Sequence, residues 1–163
     1  MLIPDDFDFL SVDEQIEFIA DLEFEENEPP WKWTFLTQKI KDEKIDNQVK
    51  IEISELIGAN NIPKRIKNDI ITCLLNVFKK EDDIVLKQHL ILSLQNDDLF
   101  SDEVLEFAHD ILLDRNQDID IRYNTLIIIN NNSNKSELLK IFKQLLNDPI
   151  MKEKASHWIQ EMN

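Results

Sequence analysis

Side chains able to do chemistry are few in this chain and poorly spaced for it. Three histidines, His89, His109 and His157, lie far apart. The lone cysteine, Cys73, cannot complete a thiolate cage. Glu106 and His109 make one Glu-x-x-His, the spacing that places two metal ligands on one helical face. A di-iron site of that kind needs a second copy and two further glutamates from facing helices, and the chain supplies neither. Cys73 falls on the apolar side of a helical run, between Ile70 and Val77, where a thiol is a small buried hydrophobe rather than a nucleophile. One glycine, Gly58, leaves nothing from which to build a phosphate-cradling loop. These residues predict no enzyme, no metal and no cofactor.

The elements that would position such groups are helices. With 163 residues, 42% of them hydrophobic, the chain is long enough for one domain with a sizeable core. One glycine and five prolines leave little for hairpins, and the period-2 alternation of strands is absent. Ser11 with Glu14 forms a capping box and predicts a helix from Ser11 to about Glu26, before Pro29-Pro30 stops it. Further helices are expected over 31–40, 47–57 with Gly58 as the C-terminal stop, from Pro63 as a first helical residue to Phe78, 84–94, from Ser101 to about Leu112, 119–129, around 138–146 after a loop at 130–134, and 149–162.

One pattern occurs four times: an Asp, two residues, an apolar residue, then Lys or Arg. The copies are Asp46 to Lys50, Asp83 to Lys87, Asp118 to Arg122 and Asp148 to Lys152, starting 37, 35 and 30 residues apart. Three, seven and eleven residues after the Asp stand Val49, Ile53 and Ile57; Leu86, Leu90 and Leu94; Ile121, Thr125 and Ile129; Met151, Ala155 and Ile159. Those offsets share a helical face, and a helix pair that cannot bury such a face alone must stack on its neighbours. In this order of residues, and in Leu56-Ile57-Gly58, the chain resembles HEAT repeats over about residues 31–162. The resemblance implies an all-α, right-handed α-solenoid of about four helix pairs preceded by an N-terminal helix. It also implies one domain over 1–163, with 1–30 as an acidic, aromatic cap and 31–163 as repeats. By the same resemblance Asp46, Asp83, Asp118 and Asp148 would meet Lys50, Lys87, Arg122 and Lys152 in a ladder across repeat boundaries, each Asp also capping its helix. HEAT-like DNA glycosylases need a basic concave surface that this chain lacks, and no chromophore signature of the HEAT-like phycobilin lyases is present.

Charge carries the rest. Of a formal net charge of −15, residues 1–28 hold eleven acidic residues and no basic one, so the other 135 contribute −4. Such a field repels nucleic-acid backbones and anionic lipid and attracts basic proteins. Phe7, Phe9, Phe18 and Phe24 lie in the same stretch, with Trp31 and Trp33 beyond it; aromatics within an acidic rim suit a protein-binding hot spot, or else cap the helical array. Six and nine residues after each Asp run Glu52, His89, Asn124, Lys154 and Glu55, Leu92, Ile127, His157, the column that lines the concave side in the arrays this chain resembles. The expected partner-binding set is Glu14, Glu17, Asp21, Glu25, Trp31, Trp33, Glu52, Glu55, His89 and Tyr123.

In character the chain is similar to the small acidic immunity proteins that neutralise bacterial toxins, such as the nucleases of contact-dependent growth inhibition. That similarity implies stoichiometric binding of a basic toxin domain. A HEAT-type adaptor or assembly factor, its acidity serving solubility, is the alternative. With no basic leader and no long apolar run at its N-terminus, the chain is expected to be cytoplasmic and monomeric when free, and to bind neither nucleic acid nor membrane.

Overall fold

Short polar side chains open most of the helices. In the computed structural model, which describes residues 6–24 and 30–162, the helices are α1 (Val12–Ala20), α2 (Trp31–Lys39), α3 (Asn47–Ala59), α4 (Lys67–Lys80), α5 (Ile84–Ser93), α6 (Asp102–Leu113), α7 (Ile119–Asn132), α8 (Lys135–Leu145) and α9 (Lys152–Glu161). Short 3-10 turns lie at Phe7–Phe9 and Asp97–Leu99, and no strand occurs among the described residues. Ser11 and Asn134 each close a capping box, with Glu14 and Glu137. Three motif aspartates cap a helix start, Asp46 accepting from Gln48, Asp83 from Leu86 and Asp118 from Asp120 and Ile121, while Asp148 accepts from Ile150 and Met151 in the turn that leads into α9.

The chain divides into two compact units, Met1–Phe100 and Ser101–Asn163. In the first, α1 packs on α3 and α3 on α5, while α2 and α5 each meet α4. In the second, α6 packs on α7 and α8 on α9. Each unit has an apolar interior drawn from the expected offsets: of the twelve residues three, seven and eleven after an Asp, all are buried except Ile159, which is half-buried. Removing such side chains from water is the main favourable term in folding.

Several boundaries differ from expectation, each for a local reason. The first helix stops at Ala20 rather than running toward Glu26, and Glu25 and Glu26 lie outside the described residues. The Leu22 amide turns back to the Ile19 carbonyl at 3.1 Å, Leu22 is buried, and Phe24 meets Trp33 in a tilted contact with ring centroids 4.4 Å apart. Gly58 does not terminate α3. No glycine has positive φ, and the helix runs on to Ala59, closed by Asn60, whose side-chain amide donates to the Leu56 carbonyl. Its small size matters instead, because a Cβ at Gly58 would stand 3.1 Å from the Cα of Ser93 on α5. The same crossing is tied by Ser54 and Ser93, whose hydroxyl oxygens are 2.9 Å apart in the interior. Pro63 begins a turn, with α4 starting only at Lys67. α7 extends through the expected loop to Asn132, whose side chain satisfies the Ile128 carbonyl.

Candidate functional site

α3 and α5 are positioned by their shared crossing, and that crossing sets Glu52, Glu55 and His89 beside one another. Glu55 Oε1 lies 3.0 Å from His89 Nδ1, with the carboxylate half exposed and the imidazole mostly covered. Glu52, one helical turn before Glu55, is only partly exposed; burial and then the Glu55 charge push its carboxyl above the ordinary range. Two carboxylates on one helical edge, with the Glu55 charge adding to the cost of ionising Glu52, favour capture of a cation.

α1 adds further carboxylates to the same helix layer. Asp13, Glu14, Glu17 and Asp21 are all exposed. Glu14 is held by the capping box, and its hydrogen bonds from Ser11 lower its pKa. Asp13, Glu17 and Asp21 have no ion-pair partner among the described residues, whereas Asp8 pairs with Lys39. The expected aromatic hot spot is largely interior. Phe7, Phe18 and Phe35 form an edge-to-face triad with centroids 5.0 to 6.0 Å apart, locked by Gln15 donating to the Phe7 carbonyl. Trp33 is buried, and Trp31 is half-buried with the Lys32 ammonium over its ring. Phe9, at 89% exposure, is the aromatic left in solvent. Glu25 lies outside the described residues.

In the second unit Tyr123 is half-buried beneath the Lys154 ammonium, 4.0 Å from the ring centroid. Among the described residues the ladder has one charged rung. Arg122, 1% exposed, donates to Asp148 Oδ2 at 2.5 Å and to the Leu112 carbonyl at 2.9 Å. Burial pushes the Asp148 carboxyl up, but Arg122 and the Met151 and Ile150 amides outweigh it and hold the group at about 2. Arg115 approaches the same carboxylate at 3.8 Å from solvent. In the first unit the corresponding link is neutral: Asn47, not Lys50, donates to Asp83 at 3.3 Å. Lys87 instead lies over the Phe78 ring, and Lys50 is buried at 7% exposure.

Cys73 donates weakly to the Thr37 carbonyl, and burial pushes its thiol up to about 11. His109 Nε2 is buried without a hydrogen-bond partner, Glu106 is exposed, and His157 pairs with Glu161. Among the described residues no group of His, Cys, Asp and Glu is placed to hold a metal ion, and no helix is long and apolar enough to cross a membrane.

No protein family, curated protein or solved structure matches this chain. Sequence reasoning located Glu52, Glu55 and His89 from their offsets, but it missed the solvent position of Phe9 and the half-exposed Ile84 and Val85 on α5. Phe9 differs from Phe7 only in falling on the outer side of a 3-10 turn, which no periodicity announces.

Proposed function

We propose that this chain is a protein-binding module whose acidic helix layer takes up a basic protein, and that the partner is a bacterial toxin domain neutralised by stoichiometric binding. What carries this reading is that α1, with Asp13, Glu17 and Asp21 exposed and without an ion pair among the described residues, packs on α3, which bears Glu52 and Glu55 and packs in turn on α5 with His89. Complementary charge of this kind accelerates encounter and disfavours wrong partners. The HEAT-like reading draws support from the packing order in the first unit, where α1, α3 and α5 follow one another and α2 meets α4. Half-exposed Ile84, Val85 and Leu92 on α5 favour a second reading, an adaptor whose partner is held by apolar contact.

Affinity capture of the tagged protein, washed at low and then high salt, separates the two. One basic protein in equal amount, released by salt and detoxified by co-expression, supports the inhibitor. With that partner in hand, changing Glu17, Glu52 and Glu55 together to Gln is expected to slow association at low salt by about tenfold or more. A salt-resistant set of partners that are not basic sinks the inhibitor and leaves the adaptor.

A further inference from the structure

α5 is more apolar than its packing requires. Six of its ten residues are Ile, Val or Leu, and of these only Leu86, Leu90 and Ile91 are buried. Ile84, Val85 and Leu92 stand 50%, 52% and 42% exposed. A helix that is apolar on every side belongs where more than one side is covered. The register of α3 against α5 fixes what lies beside the open side. Asn47 reaches Asp83 at the start of both helices, Ser54 meets Ser93, and Asn96 reaches the Ile57 and Gly58 carbonyls at the far end, so the two helices run parallel and in step. Two, six and nine residues after its Asp, α3 carries Gln48, Glu52 and Glu55, while α5 carries Val85, His89 and Leu92. Each trio shares one helical face, and the contact of Glu55 Oε1 with His89 Nδ1 at 3.0 Å joins the two faces into one surface. That surface is acidic along α3 and apolar along α5.

We infer that this strip is the docking face for an amphipathic helix of the partner, whose apolar residues recur at helical spacing over Val85 and Leu92 and whose Lys or Arg residues line the edge over Glu52 and Glu55. The inference rests on the acidic-layer reading above and names the partner's contact element. From Val85 to Leu92 is two helical turns, about 10 Å along the axis, and recognition of a helix in a groove reads apolar anchors at that spacing. Charge selects among the possible occupants. Self-association would set the like charges of a chain with net charge −15 against each other, and an extended segment would find no sheet edge to join among the described residues. Burial and then the Glu55 charge raise the Glu52 carboxyl above its ordinary range, and an ammonium or guanidinium laid over the pair offsets that repulsion. The Leu or Val side chains of such a helix would at the same time cover the open side of α5.

A labelled synthetic peptide of about 18 residues, with Leu at that spacing along one face and Lys and Ala elsewhere, tests it when titrated with the full chain at low salt and followed by fluorescence anisotropy. Two further peptides separate the contributions: one of the same composition with the Leu period broken, and one with every Leu changed to Gln and every Lys kept. The patterned peptide is expected to bind at least about tenfold tighter than either, since apolar side chains gain on leaving water. Val85→Gln with Leu92→Gln, both exposed in the parent and so expected to melt near it, should remove that advantage. Ile150→Gln, 60% exposed in the other unit, should not. Amide shifts of Val85, His89 and Leu92 should saturate with the patterned peptide. Equal binding of the three peptides, lost at high salt, overturns the docking face but leaves the acidic layer's capture of basic groups standing. No binding of any of them overturns both. A preference for the patterned peptide that survives the double change at Val85 and Leu92 also sinks the inference. So does a dimer of the free chain that the same double change dissociates, which would assign the face to a second copy.

Discussion

The two units join successive copies of one pattern by different chemistry. In Met1–Phe100 the link is neutral and close: Asn47 reaches Asp83, Ser54 meets Ser93, and Gly58 lets the backbones of α3 and α5 approach. In Ser101–Asn163 the link is a buried ion pair, Arg122 with Asp148. Each Asp does the same first job, satisfying backbone amides two or three residues on, at a helix start or in the turn that leads into one. What it does with its remaining acceptor capacity depends on the neighbour that reaches it. A planar guanidinium spans the Leu112 carbonyl and the Asp148 carboxylate at once, which a lysine at the equivalent place does not do. The basic position of the pattern is therefore not one structural role repeated four times.

The largest expected effect breaks the charged link. Asp148→Ala strands Arg122 in the interior and is expected to cost about 3–5 kcal/mol in urea denaturation. Replacing both partners by apolar residues should cost less than this single change; an equal or greater loss would mean that the pair itself, not the stranded charge, holds the unit. Acid is next. The folded Asp148 pKa of about 2 lies below its ordinary 3.8, so its contribution is complete above about pH 4 and is lost as pH falls toward 2. That loss amounts to about 2 kcal/mol, and the Asp148→Ala protein should lack it. The smallest effect falls on the neutral link. Gly58→Ala gains up to about 1 kcal/mol of helix propensity but drives a Cβ toward the Ser93 backbone at 3.1 Å. Overpacking at about 1–3 kcal/mol wins, for a net cost of about 1 kcal/mol. A stabilised variant would show that α5 can yield.

Much of this was legible before the fold was known. The Ser11–Glu14 capping box, the aspartate caps and the buried offsets follow from local chemistry and period, and Glu52, Glu55 and His89 followed from the same register. What escaped was set by tertiary contact. Gly58 reads as a helix stop until Ser93 is found against it. Trp33 reads either as part of a binding hot spot or as part of a packed cap, and its burial against Phe24 decides for the cap. Lys50 and Arg122 are equivalent in the pattern, and only their surroundings give Arg122 a carboxylate partner that Lys50 lacks among the described residues.

Asn96 ties these relations to time. Its side-chain amide faces the carbonyls of Ile57, Gly58 and Asn60 at 3.2, 3.1 and 2.9 Å, so the last turn of α3 is closed by a residue that follows α5. Fraying of that helix end therefore requires the turn at 93–96 to let go, and neither segment can open to solvent alone. Amide hydrogen exchange is expected to show these two stretches, nearly forty residues apart in sequence, opening as a single cooperative element.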